Sequence, residues 1–324
     1  MEFVRDISAE HTERLASIDS LAAAVPLAED PSAVFLTPGS VDPADAGAVG
    51  VLTTTTVGET DLGAPWRSLT EHRLDLYITE TEHEAATRAV EEVLDALEER
   101  IAEIAEPTDH EASIVVTASA RDHAVVRPLS LHHFTPGVIT ALRRVSASEE
   151  LNPSYPIGLP AGIRVVPASE VDQDAFLDVC VRAWTSDLLH TRAHARPTAR
   201  DAVTRVVQDL LGHRPSLTSV ALRDQEIVGV SLVDSPLEES AMALYTPVRP
   251  LAWSRVLWVA PAERGKGLAR ALLADAHGRI AQATLPWCIA QYDALTPMSA
   301  YFWSREGYRP LAVRWQRVPA RAGD

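Results

Sequence analysis

The chain has 324 residues, 46% of them hydrophobic and 23% charged, with a formal net charge of −16. This length suits two domains, and the composition is that of a globular protein. The negative charge argues against a nucleic-acid partner, which would need clustered basic residues. We find no run of about 18 uncharged apolar residues, so neither a membrane-spanning helix nor a membrane partner is expected.

The cysteine count and the first residues bear on the compartment. Cys180 and Cys288 are the only cysteines, too few for a disulfide framework or a zinc cluster, and no metal site is predicted. The segment Met1–Asp6 is acidic and lacks the apolar core of a signal peptide. A cytoplasmic location is therefore expected. Composition leaves a monomer and a homodimer both open.

The N-terminal part predicts alternating strands and helices. Alternating apolar residues favour strands, and an apolar stripe at helical spacing favours a long helix. The predicted elements are a short strand at Phe3–Arg5, a helix from about Ser8, strands at Ala48–Thr56, Leu74–Ile78 and Ser113–Thr117, and a helix at Glu82–Ile104.

Residues 146–162 are rich in turn-forming residues and predict a linker, so the predicted domains are 1–150 and 160–324. The second domain has the predicted order β-α-α-β-β-β-α-β-α-β. Its strands are expected at Ile163–Val166, Ser219–Leu222, Ile227–Val233, Val256–Val259 and near Trp287–Tyr292, and its first helices at about Ser169–Leu188 and Thr198–Leu211.

The most informative segment joins the strand Val256–Val259 to the helix that follows it. Gly265 and Gly267 let the backbone approach a ligand closely. The first N–H groups of the helix, together with its dipole, favour an anion. Arg264 and Lys266 add positive charge at the same place. The segment therefore predicts a site for a phosphate-bearing ligand, and a simple turn between strand and helix is the alternative.

Two other phosphate motifs fit this segment poorly. A dinucleotide fingerprint needs its first glycine directly after the strand, and the P-loop pattern fails because Leu268 follows Gly267. The segment instead resembles motif A of the GCN5-related N-acetyltransferases (GNAT), V-x-P-x-x-R-G-x-G-[IL]-[GA]. The matching residues are Val259, Pro261, Arg264, Gly265, Gly267, Leu268 and Ala269. The resemblance implies that this loop, with Lys266, binds the pyrophosphate of acetyl-CoA.

A near-repeat links the two halves of the chain. Ala112–Arg143 aligns without gaps on Pro286–Arg317, at a constant offset of 174 positions. Upstream of the first copy, the glycine loop is replaced by Thr79–Glu84, which lacks glycine and holds several acids. The resemblance therefore implies an α/β fold of two tandem GNAT-like domains, each a mixed sheet flanked by helices, with a degenerate N-terminal copy. The plan is similar to that of the mycothiol synthases.

Acetyl transfer to an amine needs proton removal from the amine, stabilisation of an oxyanion and departure of a thiolate. The resemblance places the backbone of Leu257, Trp258 and Val259 beside the thioester and pantetheine. A second family motif, N-P-x-A-x-x-[FL]-Y-x-[KR]-x-G-[FY], is similar to residues 296–308, and its Asn and Tyr are Thr296 and Trp303 here. An indole cannot usefully transfer a proton. Tyr301, Tyr292, water, or departure as the free thiolate remain open.

The general base has several candidates. Glu238 and Glu239 lie in the link that borders the acceptor side in this fold, where the pair could also bind a cationic acceptor. The alternatives are Asp234, Asp293, His190 and His194. We expect an acetyl-CoA-dependent N-acetyltransferase whose acceptor is a primary amine on a small molecule. Peptide or protein N-acetylation and a non-catalytic acyl-CoA-binding regulator are the alternatives.

Overall fold

A computed structural model describes residues 2–25, 30–37, 46–146, 158–188, 194–213, 217–234 and 241–321. The chain forms two compact units that are not contiguous in sequence. Unit 1 comprises residues 1–140, 244–247 and 310–324, and unit 2 comprises residues 141–243 and 248–309. Most of the predicted linker lies outside the described residues, and the assignment of one domain to each of 1–150 and 160–324 stays a prediction.

Unit 1 is a mixed sheet with helices. Its helices are α1 (Glu2–Ile18), α2 (His83–Ile104) and α3 (Val126–Leu131). Its strands are β1 (Val34–Leu36), β2 (Ala48–Thr56), β3 (Thr70–Ile78), β4 (Ala112–Ser119), the first part of β5 (Thr135–Arg144) and most of β11 (Arg309–Arg317). The order is β1-β2-β3-β4-β11, with β3 and β4 parallel and the other pairs antiparallel.

The core of unit 1 forms between α2 and the strands. The buried face of α2 carries the predicted apolar stripe, including Val93, Leu94 and Leu97, and the predicted helix is confirmed. The predicted strand at Phe3–Arg5 is wrong, because these residues belong to α1. Ile7, His11 and Leu15 recur every four residues and are all buried, which is the pattern of a helix face.

Unit 2 repeats the mixed architecture. Its helices are α4 (Gln173–Asp187), α5 (Ala199–His213), α6 (Leu268–Gln282) and α7 (Ser299–Arg305). Its strands are β6 (Ile163–Pro167), β7 (Ser219–Arg223), β8 (Glu226–Asp234), β9 (Leu251–Val259), β10 (Trp287–Asp293) and the end of β5. They lie in the order β10-β9-β8-β7-β6, with β9 and β10 parallel. The predicted order of elements is confirmed along the chain, but its last strand, β11, belongs mostly to unit 1. No helix within the described residues is long and apolar enough to cross a membrane.

The two faces of the unit 2 sheet have different covers. On one face, Val259 packs with Leu268 and Leu272 of α6. On the other face, Trp258 packs with residues of α4 and α5. Consecutive strand residues point to opposite faces, so β9 contributes to both. The glycine loop therefore opens onto the α6 face.

The predicted repeat is confirmed in the turns that precede β5 and β11. His133 and Gly307, related by the offset of 174, both have positive φ, at 63° and 84°. The next residue in each turn, Phe134 or Tyr308, donates its N–H to the carbonyl five residues earlier at 2.9 Å. The same local geometry recurs although one copy lacks glycine.

Candidate functional site

Strands β9 and β10 separate part-way along their length. Their parallel pairing begins at Leu251 and ends where Ser254 lies opposite Ala290. Residues 255–259 of β9 then face a gap instead of β10. Because strand backbone groups need hydrogen-bonding partners, this gap presents a row of donors and acceptors to a ligand.

Backbone alternation decides which residues of β9 face the gap. The N–H of Ala260 donates to the carbonyl of Val228 at 2.9 Å, which is the side of β8. Neighbouring residues point their backbone groups to opposite edges, so Leu257 and Val259 direct theirs into the gap. Trp258 directs its backbone towards β8, and its indole N–H lies 3.3 Å from the hydroxyl of Ser186 on α4.

The gap leads to the glycine loop and the start of α6. Gly265 and Gly267 have φ values of 76° and 84°, which disfavour other residues. A Cβ atom added to either glycine would meet nothing within 4 Å, so the loop lies open on that side. Gly267 is the N-cap residue and supplies no side-chain cap. The first N–H groups of α6 are therefore available to an anion.

The charges around the loop favour the same ligand. Arg223 binds both oxygens of Glu263 at 2.9 Å, and Lys266 lies 3.3 Å from that carboxylate. The hydrogen bonds from Arg223 lower the pKa of Glu263, so it stays ionised. Arg264 donates its Nε to the carbonyl of Val259 at 3.1 Å, which ties the loop to the strand. Asp224 also acts on Arg223, so three cations (Arg223, Arg264 and Lys266) and two carboxylates leave a local charge of +1.

Unit 1 contains the corresponding gap, and α1 closes it. The pairing of β3 with β4 ends at Leu74, opposite Val116. Beyond it, Nδ1 of His11 lies 3.1 Å from the amide nitrogen of Ile78, at the end of β3. Burial lowers the pKa of His11 to about 4, so the ring is neutral near pH 7 and can accept this N–H.

Arg14 of α1 completes the closure. Its guanidinium binds both oxygens of Asp122 at 2.6 and 3.0 Å, and its Nε donates to the carbonyl of Glu80 at 2.6 Å. Only 6% of the Arg14 side chain and 4% of the Asp122 side chain are exposed. The offset of 174 places Asp122 at the position that Thr296 holds in unit 2. A buried ion pair therefore occupies this end of unit 1.

The start of α2 is also occupied by the protein itself. The carboxylate of Glu82 accepts the N–H groups of Glu84 and Ala85 at 2.9 and 2.7 Å. These are donors that an anion would otherwise use. The cavity that remains beside His11 and Tyr77 measures about 40 Å³, room for a few water molecules. Unit 1 thus keeps the architecture of the gap without space for a large ligand.

The residues that the sequence predicts beside the departing thiolate lie on β10, α7 and the turn between them. Trp303 is buried, with 6% exposure, and stacks on Tyr292 at a ring distance of 6.3 Å. Burial raises the pKa of Tyr292, so its phenol stays protonated at neutral pH. Tyr301 is 58% exposed on α7. Thr296 is half-buried, and its N–H donates to the carbonyl of Asp293 at 3.2 Å.

Three of the six candidate general bases lie within the described residues. Glu238, Glu239 and His190 lie outside the described residues. His194 precedes α5, and Asp234 ends β8. Within the described ranges, no group of three or more His, Cys, Asp or Glu side chains could hold a metal ion.

Sequence analysis missed a cationic residue inside an apolar strand. The guanidinium carbon of Arg255 lies 4.0 Å from the ring centre of Trp253, and Nη1 lies 3.7 Å from Asp234. The signal was available, because a lone arginine within β9 demands a partner. The sequence pattern predicts the strand only at residues 256–259, which leaves Arg255 outside it.

Several solved structures resemble this chain. A GCN5-related N-acetyltransferase from Sphaerobacter thermophilus matches with a TM-score of 0.53 and 16% identity, over 88% of this chain and 84% of that chain. A tandem GNAT protein from the clavulanic acid biosynthesis pathway matches with a TM-score of 0.47 and 13% identity, over 99% and 97%. A GCN5-related N-acetyltransferase from Kribbella flavida gives a TM-score of 0.42 and 11% identity, over 96% and 95%. No protein-family model and no curated protein matches the sequence.

The likeness to the first of these structures agrees with the geometry of unit 2, in which two strands part ahead of an uncapped glycine loop. It also agrees with the fold implied by the glycine-loop motif. This chain has the fold of the GCN5-related N-acetyltransferases.

Proposed function

We propose that unit 2 binds acetyl-CoA and transfers its acetyl group to a primary amine on a small molecule. The observation that carries this proposal is that β9 loses β10 as a pairing partner after Ser254 and then runs directly into the open glycine loop and the uncapped N-terminus of α6. The fold supports acyl transfer in general. The acetyl donor and the amine acceptor are inferred from the chemistry of this strand and loop.

The residues of unit 2 suit each part of the donor. The pyrophosphate would lie on the first turn of α6, with Gly265 and Gly267 allowing close backbone approach and Lys266 adding charge. The N–H groups of Leu257 and Val259 would face the pantetheine and thioester. Acetyl-CoA supplies an activated acyl group, and a backbone N–H aimed at its carbonyl oxygen stabilises the negative charge that develops there.

The departing sulfur has no obvious proton donor in its family position. Trp303 is buried against Tyr292 and Tyr308 and cannot transfer a proton. A thiol has a reference pKa of about 8.5, so a thiolate is a tolerable leaving group. We therefore infer that the thiolate leaves unprotonated or takes its proton from water or a nearby tyrosine.

Two measurements test the proposal. Calorimetric titration with acetyl-CoA should give one site per chain, and a panel of small amines should release CoA in a coupled thiol assay. Absence of acetyl-CoA binding would overturn the whole proposal. Binding without CoA release from any amine would favour the second candidate.

That second candidate is a non-catalytic acyl-CoA-binding regulator, and the buried Trp303 is the observation that favours it. The substitution Trp303→Tyr separates the two candidates, since it restores the side chain that the family places near the sulfur. For an enzyme, we expect turnover to persist or rise in this variant across pH. A regulator should bind acetyl-CoA equally well before and after the change, with no CoA release in either protein.

A further inference from the structure

Arg255 lies at an irregularity of the sheet. In the register of β8 and β9, Leu232 faces Val256 and Val233 faces Ser254, so Arg255 is an extra residue on β9. Such bulges re-aim side chains and are over-represented beside active sites. Arg255 also follows directly after the last residue of β9 that pairs with β10. It therefore lies at the closed end of the gap.

The side chain of Arg255 belongs to the face opposite α6. The bulge interrupts the alternation of the strand at this point, and the next residue, Val256, packs with the cluster that includes α4 and α5. Asp209 of α5 is one of the charges that act on Arg255. The proposed donor approaches from the N-terminus of α6, on the other face. A second substrate can thus meet the closed end of the gap from the side of Arg255.

The guanidinium of Arg255 is held in place by stacking, but its N–H groups lack hydrogen-bond acceptors among the described residues. It stacks on Trp253 at 4.0 Å, and 27% of its side chain is exposed. Within the described part of the chain it makes no hydrogen bond, since Asp234 lies 3.7 Å away, beyond hydrogen-bonding distance. Among the described residues, the indole N–H of Trp253 is likewise buried without a hydrogen-bonding partner. The partly exposed guanidinium therefore keeps free N–H donors for an incoming acceptor, beside the negative charges of Asp234 and Asp209.

We propose that Arg255 binds the carboxylate of the acceptor and that the acceptor is a free α-amino acid. This inference rests on the proposed function of unit 2. A guanidinium matches a carboxylate with two parallel hydrogen bonds. The adjacent Asp234 faces the ammonium of the same molecule. The paired opposite charges of Arg255 and Asp234 thereby complement a zwitterion, whose own opposite charges lie on neighbouring atoms.

These groups and solvent account for the protons and electron pairs that move during acetyl transfer. The ammonium loses one proton to water beside Asp234, and the free amine nitrogen attacks the thioester carbonyl. The C–N bond forms, the C–S bond breaks, and its electron pair leaves on sulfur as the thiolate. The second proton lost by nitrogen is taken up by solvent or by that thiolate. The products are an N-acetylamino acid and CoA.

The test compares three acceptors that share one side chain: an amino acid, its carboxamide and its decarboxylated amine. With the full chain and saturating acetyl-CoA, kcat/KM for the amino acid should exceed that of the other two by about 10- to 100-fold, as expected for hydrogen bonds to a charged group. Arg255→Gln should remove this preference mainly through KM, and Arg255→Lys should restore part of it. Arg164→Gln, a change of exposed arginine on β6, is the matched control and should keep the preference.

A binding experiment keeps the inference testable without turnover. In the presence of CoA, an N-acetylamino acid should bind more tightly than its carboxamide in the wild type and equally weakly in Arg255→Gln. Equal binding of both ligands to the wild type would overturn the inference. So would an Arg255→Gln variant that loses the amino acid and the amine equally, which would mark a structural role. Failure to bind acetyl-CoA would instead count against the proposed function.

Discussion

The gap beside β9 in unit 2 and the gap beside β3 in unit 1 have the same backbone arrangement. The first is open, and the second is filled by side chains. In unit 2, the gap beside β9 leads to an open glycine loop with a local charge of +1 and to an uncapped helix. In unit 1, the gap beside β3 is closed by His11 and Arg14 of α1, and Glu82 caps the following helix. A few side chains, on the same arrangement of strands, thus fill in unit 1 the gap that stays open beside β9 in unit 2.

The largest effect is expected from opening unit 1. Arg14→Ala leaves the buried carboxylate of Asp122 without its partner, and the free energy of unfolding should fall by about 3–5 kcal/mol. Urea denaturation followed by circular dichroism measures it. Arg100→Ala, which removes an exposed pair with Glu103, is the control and should cost about 0–1 kcal/mol.

Opening this gap should not create a second donor site, because Glu82 still occupies the first N–H groups of α2. Titration of Arg14→Ala with acetyl-CoA should again give one site per chain. Two sites in that variant would contradict the contrast between the units.

The next effect concerns the open loop. Gly267→Asp places a carboxylate where the pyrophosphate is proposed to bind, and like charges at such contacts cost several kcal/mol. Calorimetry should show acetyl-CoA affinity reduced by at least about 100-fold. Gly278→Asp adds the same carboxylate within α6, where an added Cβ also meets nothing, and should bind normally. Gly267→Ala has the backbone strain of the positive φ without the charge, and should lose less affinity than Gly267→Asp. Unaltered binding in Gly267→Asp would remove the loop from the donor site.

The neutral His11 gives unit 1 its own pH dependence. The folded pKa of about 4 lies below the unfolded value of about 6.5, so between these values only the unfolded chain gains the proton. Stability therefore falls as pH falls, by up to about 1.4 kcal/mol per pH unit. Urea titrations from pH 7 to 4.5 should show a shallower fall in His11→Gln. The exposed His110→Gln is the control, and identical slopes in all three proteins would show that His11 titrates normally.

The smallest effect concerns the acceptor side. Exchanging both Glu238 and Glu239 for Gln should raise the apparent KM of the amine a few-fold and leave acetyl-CoA affinity unchanged, since a single ion pair with the acceptor typically contributes about 0–1 kcal/mol. The same double exchange at Glu91 and Glu92 on α2 is the matched control. If neither parameter moves in the first variant, the segment from His190 to His194 becomes the next candidate.

Local patterns predicted more than long-range pairings did. The strand, glycine loop and helix around Gly265 follow from spacing over a dozen neighbouring residues, and the offset of 174 follows from direct comparison of the halves. The role of α1 could not be foreseen, because His11 and Arg14 meet partners about 70 and 110 positions away. The exposure of Arg255 depends on a register shift between β8 and β9, which no single strand encodes.

The pairing of β11 with β4 means that unit 1 cannot complete its sheet until nearly the whole chain has been synthesised. Strand β11 pairs with β4 so that Ser119 faces Ala312, roughly 190 residues later in the chain. At a synthesis rate of about 5–20 residues per second, the edge of β4 remains unpaired for about 10–40 s before β11 is synthesised. Its unpaired backbone groups are meanwhile open to pairing with other chains. The half of the protein that leaves the ribosome first is therefore the half that a premature stop before β11 would damage most.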